Sequence, residues 1–143
     1  MPIPLLHEYS DDDIFPLLNG VVIGWGLLAF LPSWRHTPFL VLVVSFIYAV
    51  LYALLIGNCM FGGLEGEPKG AGFNSLEEVA TLFSWRPAVF AGWVHYISFD
   101  LLIGRYIVLD AQQCGIPHLL IVWCLPLTLL FGPVGFACYV LIK

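Results

Sequence analysis

The chain has 143 residues, of which 60% are hydrophobic and only 10% are charged. A soluble domain of this size exposes too much surface to hide so many apolar side chains, and soluble proteins average roughly 25% charged residues. Five basic residues against ten acidic ones give a net charge of -5, which excludes a basic surface for nucleic acid. The composition therefore predicts an integral membrane protein with one domain, residues 1–143.

Four apolar segments follow one another along the chain, over residues 14–31, 38–57, 87–109 and 118–142. A helix needs about 20 residues to cross a hydrocarbon core of ~30 Å, whereas membrane strands are about ten residues long and alternate strictly. The segments have the length of helices and do not alternate. The sequence therefore predicts an all-α, polytopic membrane protein with four transmembrane helices.

Glycine and proline add detail to two of these helices. In the first, Gly20 and Gly24 form a small-x-x-x-small pattern, for which we expect close packing within the chain rather than dimerisation. In the fourth, Pro126 and Pro133 are expected to kink the helix, because each removes a backbone donor.

A polar loop, residues 58–86, separates the second and third predicted helices. Its first half is rich in glycine, which is typical of a loop. Ser75 and Glu78 then have the spacing of a capping box, with serine at the N-cap and glutamate at N3. We therefore predict a short amphipathic helix at the membrane interface, over residues 75–83.

Four crossings would place both termini and the polar loop on the same side of the membrane. That side would hold Lys69, Arg86 and Lys143, against Arg35 and Arg105 on the other. The excess of basic residues on cytoplasmic loops then predicts that both termini are cytoplasmic. No basic region or small-residue cleavage site accompanies the first apolar segment, so we expect it to remain in the mature protein.

The third predicted helix carries polar residues in the middle of the bilayer. His95 and Asp100 lie there, where a charged side chain costs at least ~2.5–3.5 kcal/mol. Helical side chains lean toward the amino end, so Arg105 is placed to reach back toward Asp100. The spacing of His95 and Asp100 is not that of metal ligands, and no metal site is expected. Two interpretations stay open: a buried Asp–Arg pair that fixes helix packing, or a cluster for acid catalysis or ligand binding.

A series of residues in the third and fourth predicted helices resembles the sequence pattern of a known family. It comprises Trp93-Val94-His95, Phe99-Asp100-Leu101, Arg105, Asp110, Cys124-Leu125 and Phe131-Gly132-Pro133-Val134-Gly135. These residues resemble the abscisic-acid-deficient-four-like family, and the resemblance covers most of the chain. Plant members of that family are plastid membrane proteins required for neoxanthin synthesis.

The resemblance implies a carotenoid (xanthophyll) isomerase of the neoxanthin-synthase type in a photosynthetic membrane, whether a bacterial inner or intracytoplasmic membrane or a thylakoid. The reaction is a net isomerisation, so no cofactor is required beyond the bound carotenoid. An acid would protonate the epoxide oxygen, and a base would remove a proton from the polyene. The family's motif residues correspond to Trp93, His95, Asp100, Arg105 and Asp110, and the resemblance does not assign their roles. From their chemistry we predict Asp100 as the acid and His95 as the base, with Arg105 as the third catalytic residue, and Trp93, Tyr96, Asp110 and His118 as ligand-binding residues.

An alternative is a non-catalytic transmembrane subunit that binds a carotenoid or a chlorophyll within a photosynthetic complex. The chain has eleven Phe, six Tyr and five Trp, which suits either function because a polyene needs an apolar, aromatic groove. The expected partners are the lipid bilayer, a carotenoid, and either subunits of a photosynthetic complex or a second copy of the chain.

Overall fold

The computed structural model describes residues 11–61 and 68–143, and every regular element in these ranges is a helix. The all-α prediction is therefore confirmed for the described residues. Residues 62–67 of the predicted polar loop lie outside them. The elements are α1 (Asp11–Ile14), a 3-10 helix (Phe15–Gly20), α2 (Val21–Phe30), α3 (Thr37–Phe61), α4 (Leu76–Leu82), α5 (Arg86–Gln113), α6 (His118–Ile121), α7 (Cys124–Phe131) and α8 (Pro133–Ile142).

Two of the helices, α3 and α5, are long and apolar enough to cross a bilayer. They have 25 and 28 residues, which at 1.5 Å per residue correspond to about 37 and 42 Å. Each has a proline in its first turn, Pro38 and Pro87, where the missing N–H leaves no hydrogen bond unmade. The second and third predicted helices are thus present, and both are longer than predicted.

The short helix in the polar segment is present as α4, Leu76–Leu82. Ser75 is its N-cap, and its side chain accepts a hydrogen bond of 3.1 Å from the Glu78 N–H. The Glu78 carboxylate accepts in turn from the Asn74 N–H at 2.9 Å, one residue earlier than in an ideal capping box. The prediction of the capping residues is therefore confirmed. The Glu78 side chain, however, accepts from the N–H of Asn74 and not from that of Ser75.

The first predicted helix, over residues 14–31, is not continuous. A 3-10 helix, Phe15–Gly20, precedes α2, which has only 10 residues and is about 15 Å long. Pro16 removes a backbone donor from this segment, which disfavours a regular α-helix. A Cβ at Gly20 would lie 2.7 Å from the Tyr48 hydroxyl, so glycine permits a close approach here. The structure thus does not confirm a single crossing by this segment.

The chain divides into two compact units. The first unit holds Ala49–His95 together with the described residues before Asn19. It therefore includes the second half of α3, α4 and the beginning of α5. The second unit holds Asn19–Tyr48 and Tyr96–Lys143, which comprise α2, the first half of α3, the rest of α5, and α6 to α8.

Within the second unit, α3 and α5 run antiparallel. The Ser98 hydroxyl donates to the Ser45 carbonyl at 3.1 Å, and the Arg105 Nε donates to the Pro38 carbonyl at 2.8 Å. Helix α2 packs on α5 through glycine: a Cβ at Gly24 would lie 2.7 Å from a Leu101 methyl group. The predicted use of the small residues in packing within the chain is therefore seen at Gly24.

The fourth predicted helix, over residues 118–142, forms a helical hairpin instead of one kinked helix. The turn is at Gly132, with φ +50, and Pro133 is the first residue of α8. In a straight helix Gly135 and Thr128 would lie about 10 Å apart along the axis. In the structure a Cβ at Gly135 would collide with the backbone nitrogen and the hydroxyl of Thr128. Helix α8 therefore folds back against α7.

The open end of this hairpin is fixed to the carboxyl end of α5. Tyr139, which is 1% exposed, donates a hydrogen bond to the Asp110 carboxylate, and Lys143 forms an ion pair with the same group at 2.7 Å. The tip of the hairpin lies next to Asp100, because a Cβ at Gly132 would be 3.1 Å from Asp100 Oδ1. Asp100 and Asp110 are about 15 Å apart along α5. The hairpin therefore covers only about a third of the length of α5.

This hairpin changes the expected position of the carboxyl terminus. We predict that a tag attached after Lys143 and a thiol probe on the exposed Cys114 will be accessible from the same side of sealed vesicles, since the Cys114 N–H bonds the Asp110 carbonyl and Lys143 pairs with the Asp110 side chain. Protease removal of the tag and maleimide labelling of Cys114 will measure this. Accessibility from opposite sides would contradict the hairpin and would support the crossing predicted for residues 118–142.

Candidate functional site

The residues proposed for chemistry or binding divide between the two units. Trp93 and His95 belong to the first unit, whereas the second contains Tyr96, Asp100, Arg105, Asp110 and His118.

Asp100 lies at the tip of the α7–α8 hairpin. Its side chain is buried, with 8% exposure, and faces the amino end of α8 at Gly132. A helix amino end carries partial positive charge and therefore favours a nearby carboxylate. The Tyr96 hydroxyl, one turn earlier on α5, donates to the Leu129 carbonyl at 3.3 Å and also lies beside the Asp100 carboxyl. Leu129 lies in the last turn of α7, where carbonyls have no helical partner. Asp100 and Tyr96 together hold both sides of the hairpin tip.

Arg105 does not reach back to Asp100 as the sequence suggested; its Nε donates to the Pro38 carbonyl of α3. The reason is geometric, because residues five apart on a helix are separated by about 140° around its axis. Asp100 therefore faces the hairpin tip, while Arg105 joins α5 to the first turn of α3. The expected Asp–Arg pair is replaced by two separate packing contacts.

Asp110 and His118 also have packing roles in the structure. His118 Nε2 lies 3.0 Å from the Ala29 carbonyl, near the end of α2. Asp110 accepts from Tyr139 and Lys143, and its hydrogen bond raises the pKa of the Lys143 ammonium, which stays charged at neutral pH. The sequence analysis missed Tyr139 and Lys143, because no local spacing links residues 29 and 33 positions away to Asp110.

A cavity of about 690 Å³ lies in the first unit, between α3, α4 and α5. On the α5 side its wall consists of Ala88, Ala91, Gly92 and His95, which follow the 3.6-residue period of one helix face. The first three have no side chain beyond Cβ, so they leave space between α5 and α3. The other lining residues are Tyr52, Ile56, Cys59, Met60, Phe73, Leu82, Phe83 and Trp85.

Among the described residues that line this cavity, His95 is the only histidine. Its ring packs edge-on against Tyr52 of α3, with ring centroids 5.1 Å apart and an interplanar angle of 63°. Histidine is the side chain best suited to give and take protons near neutral pH. The cavity can therefore enclose a small apolar group and present one proton-transfer group to it. Trp93 is 46% exposed and does not line the cavity.

Sequence reasoning identified His95 but not the cavity around it. The small residues Ala88, Ala91 and Gly92 recur at helical spacing before His95, and this pattern was the available signal. The opposite wall, on α3, has no comparable sequence pattern, because Tyr52, Ile56 and Cys59 resemble the residues of any apolar helix face. Among the described residues, no group of three or more His, Cys, Asp or Glu side chains is placed to hold a metal ion.

Comparison with known proteins gives one match. No curated protein and no solved structure matches the chain. The family model described as ABA DEFICIENT 4-like matches residues 14–139, a range that includes the cavity walls, the hairpin and every residue discussed for the site except Lys143. A match over most of the chain, in agreement with the residue series in α5, α7 and α8, decides the family. The chain belongs to the ABA DEFICIENT 4-like family.

Proposed function

We propose that the protein is a carotenoid isomerase of the neoxanthin-synthase type, which binds one end group of its substrate in the cavity between α3, α4 and α5. The observation that carries the proposal is the position of His95 in the wall of an apolar cavity. Its volume of about 690 Å³ falls within the roughly 300–1,000 Å³ of small-molecule sites. Family membership supports the substrate class, because the family is associated with neoxanthin synthesis.

His95 has the chemistry that the isomerisation needs. Its imidazolium donates a proton to the epoxide oxygen while the bond from that oxygen to the carbon next to the polyene breaks. The oxygen stays on the other ring carbon as a hydroxyl. The neutral imidazole then removes the proton from the first polyene carbon, and that electron pair forms the second double bond of an allene. One proton is supplied and one is recovered, so the step needs no redox partner.

A membrane setting fits a substrate of this kind. Helices α3 and α5 are long and apolar enough to cross a bilayer, and carotenoids dissolve in its hydrocarbon core. We place the protein in the photosynthetic membrane of its cell, where xanthophylls act. On this proposal Asp100, Tyr96 and Arg105 hold the helices of the second unit in place, and the implied ligand contacts of Trp93, Asp110 and His118 are not used.

The alternative is a subunit that binds a pigment without converting it. The same cavity would hold the end group of a carotenoid, and His95 would serve as an axial ligand if the pigment were a chlorophyll. The two functions differ in what is recovered from the protein: a converted allenic product for the isomerase, and an unchanged pigment for the subunit.

The test is expression in cells that accumulate violaxanthin, followed by purification in mild detergent. Absorption spectroscopy will show whether a carotenoid is bound, and chromatography of the extracted pigments will show whether an allene has formed. We expect neoxanthin in the extract of cells with the protein and none in cells without it. Bound violaxanthin with no allene would favour the pigment-binding subunit instead.

A second experiment decides which acid acts, since the sequence proposed Asp100 and the cavity favours His95. Asp100→Asn keeps the shape and hydrogen bonding of the side chain but removes its transferable proton. General acid–base groups typically contribute 10²–10⁴-fold to the rate. We expect folded protein whose turnover falls by much less than roughly a hundredfold. A larger loss of turnover in folded protein would show that Asp100 is the acid.

A further inference from the structure

The turn after α4 places one aromatic ring against the α5 wall of the cavity. A Cβ at Gly92 would lie 2.9 Å from Phe83 Cε1 and 3.5 Å from Cζ, so the edge of the ring rests directly on the backbone of α5. Gly92 and His95 are three residues apart, and such positions are neighbours on a helix surface. The Phe83 ring therefore borders the part of the cavity next to His95.

The backbone around Phe83 is held by its own hydrogen bonds. The Phe83 N–H bonds the Val79 carbonyl at 2.9 Å, which closes the last turn of α4. The Trp85 N–H bonds the Leu82 carbonyl at 3.1 Å, and the Ser84 hydroxyl donates to the Thr81 carbonyl at 2.7 Å. The turn that carries Phe83 is thus well bonded, and the ring, although 49% exposed, is held on one side by its contact with Gly92.

The α5 wall on which Phe83 rests is flat. Ala88, Ala91 and Gly92 carry no side chain beyond Cβ, so the α5 backbone itself forms the surface that leads to His95. This flat helix face, with the aromatic edge at its side and α3 opposite, forms a slot. A cyclic end group would fill such a slot and contact both surfaces, whereas a narrower acyclic chain would leave part of it empty and lose dispersion contacts.

We propose that Phe83, resting on Gly92, is the specificity-determining residue of the cavity and selects a cyclic over an acyclic carotenoid end group beside His95. This inference rests on the proposed function, because it assumes that a carotenoid end group occupies the cavity. It assigns to Phe83 and to the small residues of α5 a role in selection that is separate from the proton transfer by His95.

Two substitutions alter the slot in opposite directions. Phe83→Ala removes the aromatic wall and widens the cavity, so a ring loses one of its contact surfaces. Ala88→Leu adds three carbon atoms to the α5 wall and narrows the cavity, which excludes a ring more strongly than a thin chain. Both changes should therefore lower the preference for cyclic end groups. Leu76→Ala is the matched control, because Leu76 is on α4, is 85% exposed and does not line the cavity.

The experiment measures binding without turnover. Purified protein in detergent is mixed with equal amounts of violaxanthin, whose ends are cyclic, and lycopene, whose ends are acyclic, and the bound pigments are extracted and quantified. We expect the wild-type protein and Leu76→Ala to retain mainly violaxanthin. In Phe83→Ala and Ala88→Leu the ratio of bound violaxanthin to lycopene should fall about tenfold or more, since pocket changes of one methylene alter discrimination by about 10–200-fold.

The outcomes separate this inference from the function on which it rests. If the wild-type protein binds violaxanthin and the ratio stays constant in both cavity variants, Phe83 does not select the end group, although the proposed function stands. An equal loss of both pigments in the variants would also overturn the inference, because a purely structural role lowers both alike. If the wild-type protein binds neither pigment, the inference and the proposed function fail together.

Discussion

Replacing His95 by glutamine is expected to lower the isomerisation rate by about 10²–10⁴-fold, the typical contribution of a general acid–base group. Glutamine keeps a polar side chain of similar length in the cavity but cannot take up and release a proton near neutral pH. Carotenoid binding should persist, because the apolar lining is unchanged. The measurement is the conversion of violaxanthin per bound carotenoid, followed by chromatography in vesicles of known protein content.

The matched control is His36→Gln. His36 is an exposed histidine of the second unit that accepts a hydrogen bond from Arg35 Nε at 2.8 Å and packs edge-on against Trp34. Its replacement removes the same chemical group without touching the cavity, so turnover should stay at the wild-type level. Full activity of His95→Gln would eliminate His95 as the proton-transfer group. A loss of carotenoid binding in that variant would instead assign His95 to recognition.

The second large effect is expected at Gly135, where α8 crosses α7. A methyl group at this position would collide with the backbone nitrogen of Thr128, and backbone atoms cannot move aside as a flexible side chain can. Overpacking typically costs about 1–3 kcal/mol and occasionally more. We expect Gly135→Ala to lie at the upper end, near 3 kcal/mol, and to lower the melting temperature by roughly 10 °C. Thermal unfolding in detergent, followed by circular dichroism, will measure the change.

Gly26→Ala provides the comparison for this experiment. Gly26 lies in the middle of α2, and a Cβ there would meet nothing within 4 Å. Because alanine favours helix more than glycine does, this variant should be unchanged or more stable by up to about 1 kcal/mol. If Gly135→Ala melted like Gly26→Ala, the close packing of α7 on α8, and with it the hairpin, would be contradicted.

Several features could be predicted from the sequence because their causes are local. The long, predominantly apolar sequences of α3 and α5 are enough to form long helices, whichever elements lie beside them. The N-cap of α4 is equally local, since Ser75 and Glu78 are separated by one helical turn and bond each other directly. The central position of His95 on a long helix also follows from counting residues. For these features the interacting groups lie within a few positions of one another.

The partners of the polar residues could not be predicted in this way. Arg105 bonds the Pro38 carbonyl, 67 positions away, and Asp110 bonds Tyr139 and Lys143. A backbone carbonyl is present at every position and therefore leaves no mark in the sequence. The pair of Arg105 with Asp100 was one of two interpretations, and the rotation of about 140° between them on the helix brings their side chains to different neighbours.

The α7–α8 hairpin is the feature that could least be predicted from residues close together in the sequence. By itself the apolar segment 118–142 is consistent with one crossing, and its prolines suggest only a kink. The reversal at Gly132 depends on contacts that exist only in the folded chain: Gly135 against Thr128, and Asp100 and Tyr96 at the tip. The sequence by itself thus determined that the protein is helical and that α3 and α5 are long enough to cross a bilayer. Tertiary packing decided where the chain turns back and where the cavity opens, because both depend on how closely separate helices approach one another.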